Sequence, residues 1–199
     1  MEQEYKWIID NESQVKNIVK SLLISNSIVD KNSINMKAIY YDDKKETIKK
    51  QHGALRKRKQ NKKYVCCLKL EQQSDNDCKK RMEYELEERD IYKALKRFPS
   101  VGAPKQLCEK ISKEALIELC VLQFKRIEYK LKIEEECVVE LAFDNGLMIK
   151  NGKKQNFREI ELEFKSGDER IFHKFAKNME YNFNLRIQPL SKIARAMKL

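Results

Sequence analysis

No stretch of the chain comes near the ~20 consecutive apolar residues that span a bilayer. The first residues are acidic and aromatic rather than a basic segment followed by an apolar one. A cytoplasmic protein without a membrane partner is the expectation. Six cysteines are present (Cys66, Cys67, Cys78, Cys108, Cys120, Cys137), but never as Cys-x-x-Cys, and only His52 and His173 could join them. A zinc centre is therefore not expected, and the thiols read as reduced and mostly buried. There is also no domain-length linker and no repeat beyond the strand design described below. At 199 residues, 41% of them hydrophobic, the chain suits a single domain, residues 1–199, with a substantial core.

What is abundant is positive charge: 42 Lys and Arg against 31 Asp and Glu, a formal net of +11. That balance favours polyanionic partners such as nucleic acid, nucleotides, polyphosphate or an anionic membrane surface, without choosing among them.

The charges follow a period of two. In Glu2-Gln3-Glu4-Tyr5-Lys6-Trp7-Ile8, an extended backbone puts Glu2, Glu4 and Lys6 on one face and Gln3, Tyr5 and Trp7 on the other. Carboxylates two residues apart lie about 7 Å from each other and repel unless a cation sits between them; taken alone, the stretch also reads as an ordinary solvated strand face. The design recurs. Arg56 and Arg58 share a face; Lys69 lies in the following hairpin arm; Arg81, Glu83, Glu85 and Glu87 oppose Met82, Tyr84 and Leu86; Arg126 and Glu128 oppose Ile127 and Tyr129 in a strand beginning at Phe124; Glu140 and Asp144 oppose Val139, Leu141 and Phe143; Glu159, Glu161 and Glu163 oppose Ile160, Leu162 and Phe164. Residues 36 to 43 read as a strand ending in an Asp42-Asp43 turn, 72 to 79 as a polar loop, and Asn145-Gly146 and Asn151-Gly152 as hairpin turns. Helices are predicted after Asn11 or Ser13 (Val15, Ile18, Val19, Leu22, Leu23), from Ile91 to Pro99, over 113 to 120, and after Ser166-Gly167-Asp168 (Ile171, Phe172, Phe175, Ala176, Met179). Pro189 precedes a short basic tail, Ser191 to Arg195.

An open antiparallel sheet would turn such faces to water. A stability-driven surface, however, intersperses opposite charges, whereas here acidic and basic groups are segregated by strand. Closing the sheet removes its edges and turns the charged faces inward, leaving the apolar faces for the helices. The expected fold is α+β: a closed antiparallel barrel with a charged lumen, covered by helices. Arginine and lysine in that lumen suit phosphates, and the carboxylates suit Mg²⁺ or Mn²⁺; a helix-covered basic sheet that binds RNA or another anion is the competing reading.

Glu2-x-Glu4-x-Lys6 resembles the Glu-x-Glu-x-Lys signature of the CYTH family, the triphosphate tunnel metalloenzymes. In matching order follow Arg56-x-Arg58, Lys69, Arg81-x-Glu83-x-Glu85, Arg126, Glu140 to Asp144, Glu159-x-Glu161-x-Glu163 and Ser191-Lys192. The resemblance implies an eight-stranded tunnel acting, with a divalent metal, on inorganic triphosphate, thiamine triphosphate or a nucleoside or RNA triphosphate, or, in one branch, adenylyl cyclase activity. It implies Glu2, Glu4, Glu140, Glu159 and Glu161 as metal ligands, with Asp144, Glu83 and Glu85 for a second metal or the attacking water and Arg81 able to pair with them. Lys6, Arg56, Arg58, Lys69, Arg126 and Lys192 would grip phosphate; Glu4, Glu161, Lys6 and Glu85 form the catalytic group; Glu163 would sit at the tunnel mouth with Lys165. Inorganic triphosphate is the first choice of substrate, and a non-catalytic polyphosphate- or RNA-binding module is the alternative.

Overall fold

The computed structural model describes residues 2–71, 78–134 and 137–199, so most of the loop expected over 72 to 79 lies outside the described residues. Strand β1 (Glu2–Ile8) carries Trp7, which is fully buried and donates from Nε1 to Glu180 at 3.0 Å. Burying that indole stabilises the fold by roughly 3–5 kcal/mol relative to alanine. Around β1 the chain builds β2 (Ile28–Asp43), β3 (Gly53–Gln60), β4 (Lys63–Glu71), β5 (Lys79–Glu87), β6 (Leu116–Ile133), β7 (Cys137–Lys150) and β8 (Lys153–Ser166). Their order is β5-β4-β3-β2-β6-β7-β8-β1, and β1 returns to β5, so these eight antiparallel strands close into a barrel. Closure rests on Glu2↔Arg81, Gln3↔Lys80 and Glu4↔Lys79. Farther along the same edge of β1, a ninth strand, β9 (Arg186–Ile187), pairs with Trp7 and Ile8.

The helices sit where their apolar stripes are needed. Helices α1 (Glu12–Lys20), α2 (Leu22–Ser25) and α5 (Glu169–Phe183) cover the outer faces of β1 and parts of β6, β7 and β8, with Phe172, Phe175, Ala176 and Met179 of α5 buried at helical spacing. Asn11 caps α1 by accepting from the Gln14 amide, and Asp168 caps α5 by accepting from the Arg170 amide. Helices α3 (Ile91–Arg97) and α4 (Lys105–Ser112) cover β3, β4 and β5 through Ile91, Ala94, Leu95, Cys108 and Ile111. The last helix, α6 (Lys192–Ala196), belongs to a third cluster in which Ala196 meets Met36, Ala38, Tyr40, Leu122, Phe124, Met148 and Phe157 from the barrel interior. It plugs the barrel from inside, and Ser191 caps it by accepting from the Ala194 amide.

Several expectations are corrected. The helix expected over 113 to 120 is instead α4, which stops at Ser112, followed by β6 from Leu116. Residues Leu116 to Cys120 have a partner in Tyr40 to Asp43, and that pairing overrides their local helical pattern. For the same reason β6 starts before Phe124 and β2 starts at Ile28 rather than residue 36, since the polar stretch 30–35 is held as strand by β6. Asn145-Gly146 is no turn: β7 runs straight through it. Gly146 stands there because a Cβ would lie 2.1 Å from the Gln123 carbonyl oxygen and 2.4 Å from the Phe124 Cβ. The turn is Asn151-Gly152, with φ of 50° and 80°, the double-positive pair that a two-residue hairpin needs. Asp42 and Asp43, expected to turn the chain, do so as buried acceptors: Asp42 takes the Ile48 and Lys49 amides and Asp43 those of Lys45 and Thr47.

Candidate active site

The inward faces enclose a cavity of about 360 Å³, at the small end of ligand sites. Lining it are Glu2, Glu4 and Lys6 from β1, Arg56 and Arg58 from β3, Lys69 from β4, Arg81, Glu83 and Glu85 from β5, Arg126 from β6, Glu140 from β7, Glu161 and Glu163 from β8 and Lys192 from α6. Asp144 and Glu159 complete the acidic side, both 2% exposed or less. Register does this: Arg126↔Asp144↔Glu159 and Ala142↔Glu161↔Lys6 are neighbours across the sheet.

The centre is a knot of charge. The Lys192 ammonium lies 2.8 Å from both Asp144 Oδ2 and Glu161 Oε1 and also pairs with Glu159. Arg126 grips Asp144 with two parallel bonds of 2.8 Å and reaches Glu161 at 2.5 Å. Lys6 bridges Glu4 at 3.2 Å and Glu161 at 3.5 Å, and Arg81 binds Glu4 at 3.1 Å. Burial works against the charged Glu161, but Lys192, Lys6 and Arg126 together hold its carboxyl well below the usual range. Asp144 is lowered likewise, Arg126 and Lys192 outweighing its burial. Glu159 goes the other way: burial wins over its cations, with the Glu161 charge adding to the rise. Burial also opposes charge on Lys192, yet Asp144, Glu159 and Glu161 raise its pKa.

Carboxylate oxygens of Asp144, Glu159 and Glu161 all fall within 4.8 Å of one another. Hard oxygen donors at about 2.1 Å from Mg²⁺ would stand roughly 3–4 Å apart, so these residues fit such an ion. Among the described residues a second group, Cys67, Glu83 and Glu85, has comparable spacing. It suits a hard cation poorly: burial pushes the Cys67 thiol up and keeps it neutral, while Arg56 and Arg58 take Glu85 at 3.3 and 3.5 Å.

On the basic side, Arg56 and Arg58 share that one carboxylate, and their Nε atoms are buried without a hydrogen-bond partner. Burial, then Arg56 beside it, pulls the Arg58 guanidinium down to about 10. Guanidinium groups so crowded and under-satisfied have donors that an anion can fill. Lys69 pairs with Glu2 at 3.1 Å and also with Glu83. At one rim Lys165 holds Glu163 at 2.7 Å and Glu140 at 3.4 Å, and burial lifts the Glu163 carboxyl to about 7.

All the residues singled out from the sequence thus face one lumen, in two groups: Glu4, Lys6, Asp144, Glu159, Glu161, Arg126 and Lys192 at the centre, and Glu2, Lys69, Glu83, Glu85, Arg56 and Arg58 along the β3–β5 wall. Glu140 stands apart, nearer Lys165 than Arg126. Arg81, expected to pair with the lumen carboxylates, binds Glu4. Arg195, which binds Glu159 from α6, was not singled out as a site residue, and nothing local marks it, since its partner lies 36 positions away. One stretch of the lumen is not charged. Ile34, Met36, Ala38 and Tyr40 of β2, with Phe124, form an apolar wall, a period-two row readable in the sequence.

Comparison with solved structures gives the same architecture. HpAC1 from Hippeastrum, reported to have a dominant triphosphatase activity, superposes with a TM-score of 0.70 at 17% identity, covering 100% of this chain and 96% of that one. A candidate adenylate cyclase from Bacillus halodurans gives 0.58 at 20% identity over 96% and 95%, and the Mimivirus capping-enzyme triphosphatase 0.50 at 10% over 90% and 88%. No curated protein matches the sequence. The CYTH domain profile matches residues 1–197, and with its closed, charge-lined tunnel the chain belongs to the CYTH family.

Proposed function

We propose that the protein is a divalent-metal-dependent triphosphatase acting on a small triphosphate, with inorganic triphosphate as first choice. One observation carries the reading: buried, under-satisfied arginine donors line a small cavity that a compact three-carboxylate group meets at Glu161. Arg56, Arg58 and Lys69 would take the non-transferred phosphates, Arg126 and Lys192 the reacting one. Asp144, Glu159 and Glu161, with Glu4 beside them and Glu2 farther along β1, would hold Mg²⁺ or Mn²⁺. Such an ion would neutralise phosphate charge and lower the pKa of water.

The chain's own part is positioning. Phosphoryl transfer needs little covalent help, and cations fixed before substrate arrives stabilise the spread charge of the transition state. Lys6, raised by Glu4, Glu161 and Glu159 against its burial, stays protonated as a fixed positive charge. Glu85, which meets Arg56 and Arg58, would hold those two guanidinium groups in place for the non-transferred phosphates. The structural relatives reported as triphosphatases support the activity, and six buried thiols suit a reducing, cytoplasmic setting.

The apolar β2 wall favours a second reading, an organic triphosphate such as a thiamine or nucleoside triphosphate whose non-phosphate group lies against Met36 and Tyr40. Phosphate release from inorganic, thiamine and nucleoside triphosphates, with Mg²⁺, with Mn²⁺ and with EDTA, ranks the substrates. Glu161→Gln should lower turnover at least ~100-fold. Metal-independent turnover, or a Glu161→Gln variant of normal rate, would refute the proposal; cyclic AMP from ATP would assign the cyclase branch instead.

A further inference from the structure

The helices leave one part of the barrel's outer surface bare. It lies between the cluster under α5, which begins at Ile127, Phe143 and Ile160, and the cluster under α3 and α4, which begins at Leu55 and Cys66 and touches the edge of the gap at Ile39. Three rows of cross-strand neighbours occupy this gap. They run Lys57–Ile39–Val121–Ile149–Lys154, Lys59–Lys37–Gln123–Leu147–Asn156 and Asn35–Lys125–Asn145–Arg158. Five strands thus contribute to a continuous patch about 19 Å across.

Its chemistry is one-sided. Lys37, Lys57, Lys59, Lys125, Lys154 and Arg158 bring six cations, and the three rows contain no carboxylate. All six but Lys57 are exposed, and among the described residues none makes an ion pair. That contrasts with the lumen, where every lysine has a carboxylate beside it. Asn35, Gln123, Asn145 and Asn156 stand exposed among the cations, offering both donors and acceptors. Like charges crowded on a bare sheet cost stability, so a bound polyanion is the compensation that explains them.

We propose that this face docks the sugar–phosphate backbone of single-stranded RNA. Lysine and arginine meet phosphates, and the amides meet ribose hydroxyls. The apolar members of the rows, Ile39, Val121, Leu147 and Ile149, are half-buried, and the large exposed apolar residues of the described chain (Val29, Tyr92, Val101, Ile117, Tyr181) all lie outside the patch, so it presents no protruding anchor with which a surface enters a bilayer. With no exposed aromatic for base stacking, binding is electrostatic and indifferent to sequence.

The test uses a fluorescent 5′-hydroxyl oligoribonucleotide without divalent metal, so neither the tunnel nor its activity is engaged and the triphosphatase reading stands or falls separately. Six phosphate contacts on a single strand give a slope of log K against log salt of about −4. The triple variant Lys37→Glu, Lys125→Glu, Arg158→Glu should halve that slope and weaken binding about 30-fold or more at low salt. Its thermal midpoint should be no lower than wild type's, since the glutamates relieve like-charge crowding, and its hydrolysis of inorganic triphosphate should match wild type. Lys37→Gln with Lys125→Gln should give a smaller loss in the same direction and guards against misfolding. The proposal is overturned if the wild-type protein fails to bind the RNA, if neither variant weakens binding, or if phosphatidylserine vesicles bind tighter than RNA through the same side chains.

Discussion

Lys192→Met probes the centre of the tunnel without relying on activity. One ammonium serves Asp144, Glu159 and Glu161, whose oxygens lie within 4.8 Å of one another. Methionine keeps most of the buried stem and so preserves packing of α6, but it leaves three carboxylates facing each other. Removing one partner from a buried ion pair costs about 3–5 kcal/mol. Protonation of Glu159, already raised by burial, relieves part of this, so a net loss of about 2–4 kcal/mol is expected. At about 2–4 °C per kcal/mol for a chain of this size, the thermal midpoint should drop roughly 5–15 °C. The same change empties a hard-cation site of its resident ammonium. Mn²⁺ or Mg²⁺ at about 100 times its Kd would return roughly 2.7 kcal/mol, or about 5–10 °C. In the wild-type protein the ion must first displace Lys192, so the rise should be smaller. Differential scanning fluorimetry over a metal titration reads both numbers. If metal raises the variant's midpoint no more than wild type's, the three carboxylates are not a cation site.

Three further outcomes are expected. Arg56→Ala or Arg58→Ala should each weaken inorganic triphosphate binding about 10-fold or more, the worth of one charge-assisted contact, in calorimetry without metal; an unchanged isotherm removes the phosphate role. Glu163, raised from 4.5 to about 7, binds its proton more tightly folded than unfolded, so its stabilisation is complete below pH 4.5 and lost as pH rises through 7. Solvent screening at a side chain 26% exposed reduces this to about 1–2 kcal/mol, and Glu163→Gln should flatten the slope in urea titrations between pH 4.5 and 7, leaving the smaller part that the raised Glu159 and Glu128 carboxyls contribute; a slope equal to wild type's would trace it to those groups instead. Gly146→Ala places a Cβ 2.1 Å from the Gln123 carbonyl oxygen and should cost about 3 kcal/mol, seen as a thermal midpoint lower by about 6–12 °C. A midpoint within ~2 °C of wild type would show that the strand pair yields cheaply.

Much of the site was legible in the sequence because a strand displays its faces with a period of two. Glu2, Glu4 and Lys6, or Glu159, Glu161 and Glu163, announce a common face wherever the strand ends up, and the segregation of sign announces enclosure. Strand boundaries were less legible: across the β2–β6 ladder, 116 to 120 become strand only because they meet 40 to 43, and 30 to 35 only because they meet 125 to 130. Gly146 looked like a turn because a glycine beside asparagine is a local signal, while its actual reason, a backbone and a phenylalanine pressed against it, is long-range.

The alternation of residue types, by itself, determined that this chain has charged strand faces in need of an interior, and hence a barrel. Only the tertiary structure decided which charges meet. Lys192 and Arg195 arrive from a terminal helix to neutralise carboxylates more than 30 positions earlier, β2 turns an apolar row into the lumen, and a belt of lysines is left uncovered outside. Periodicity is written in neighbouring residues, but the partner of a charge is set by barrel closure and strand register, which sum over the whole chain.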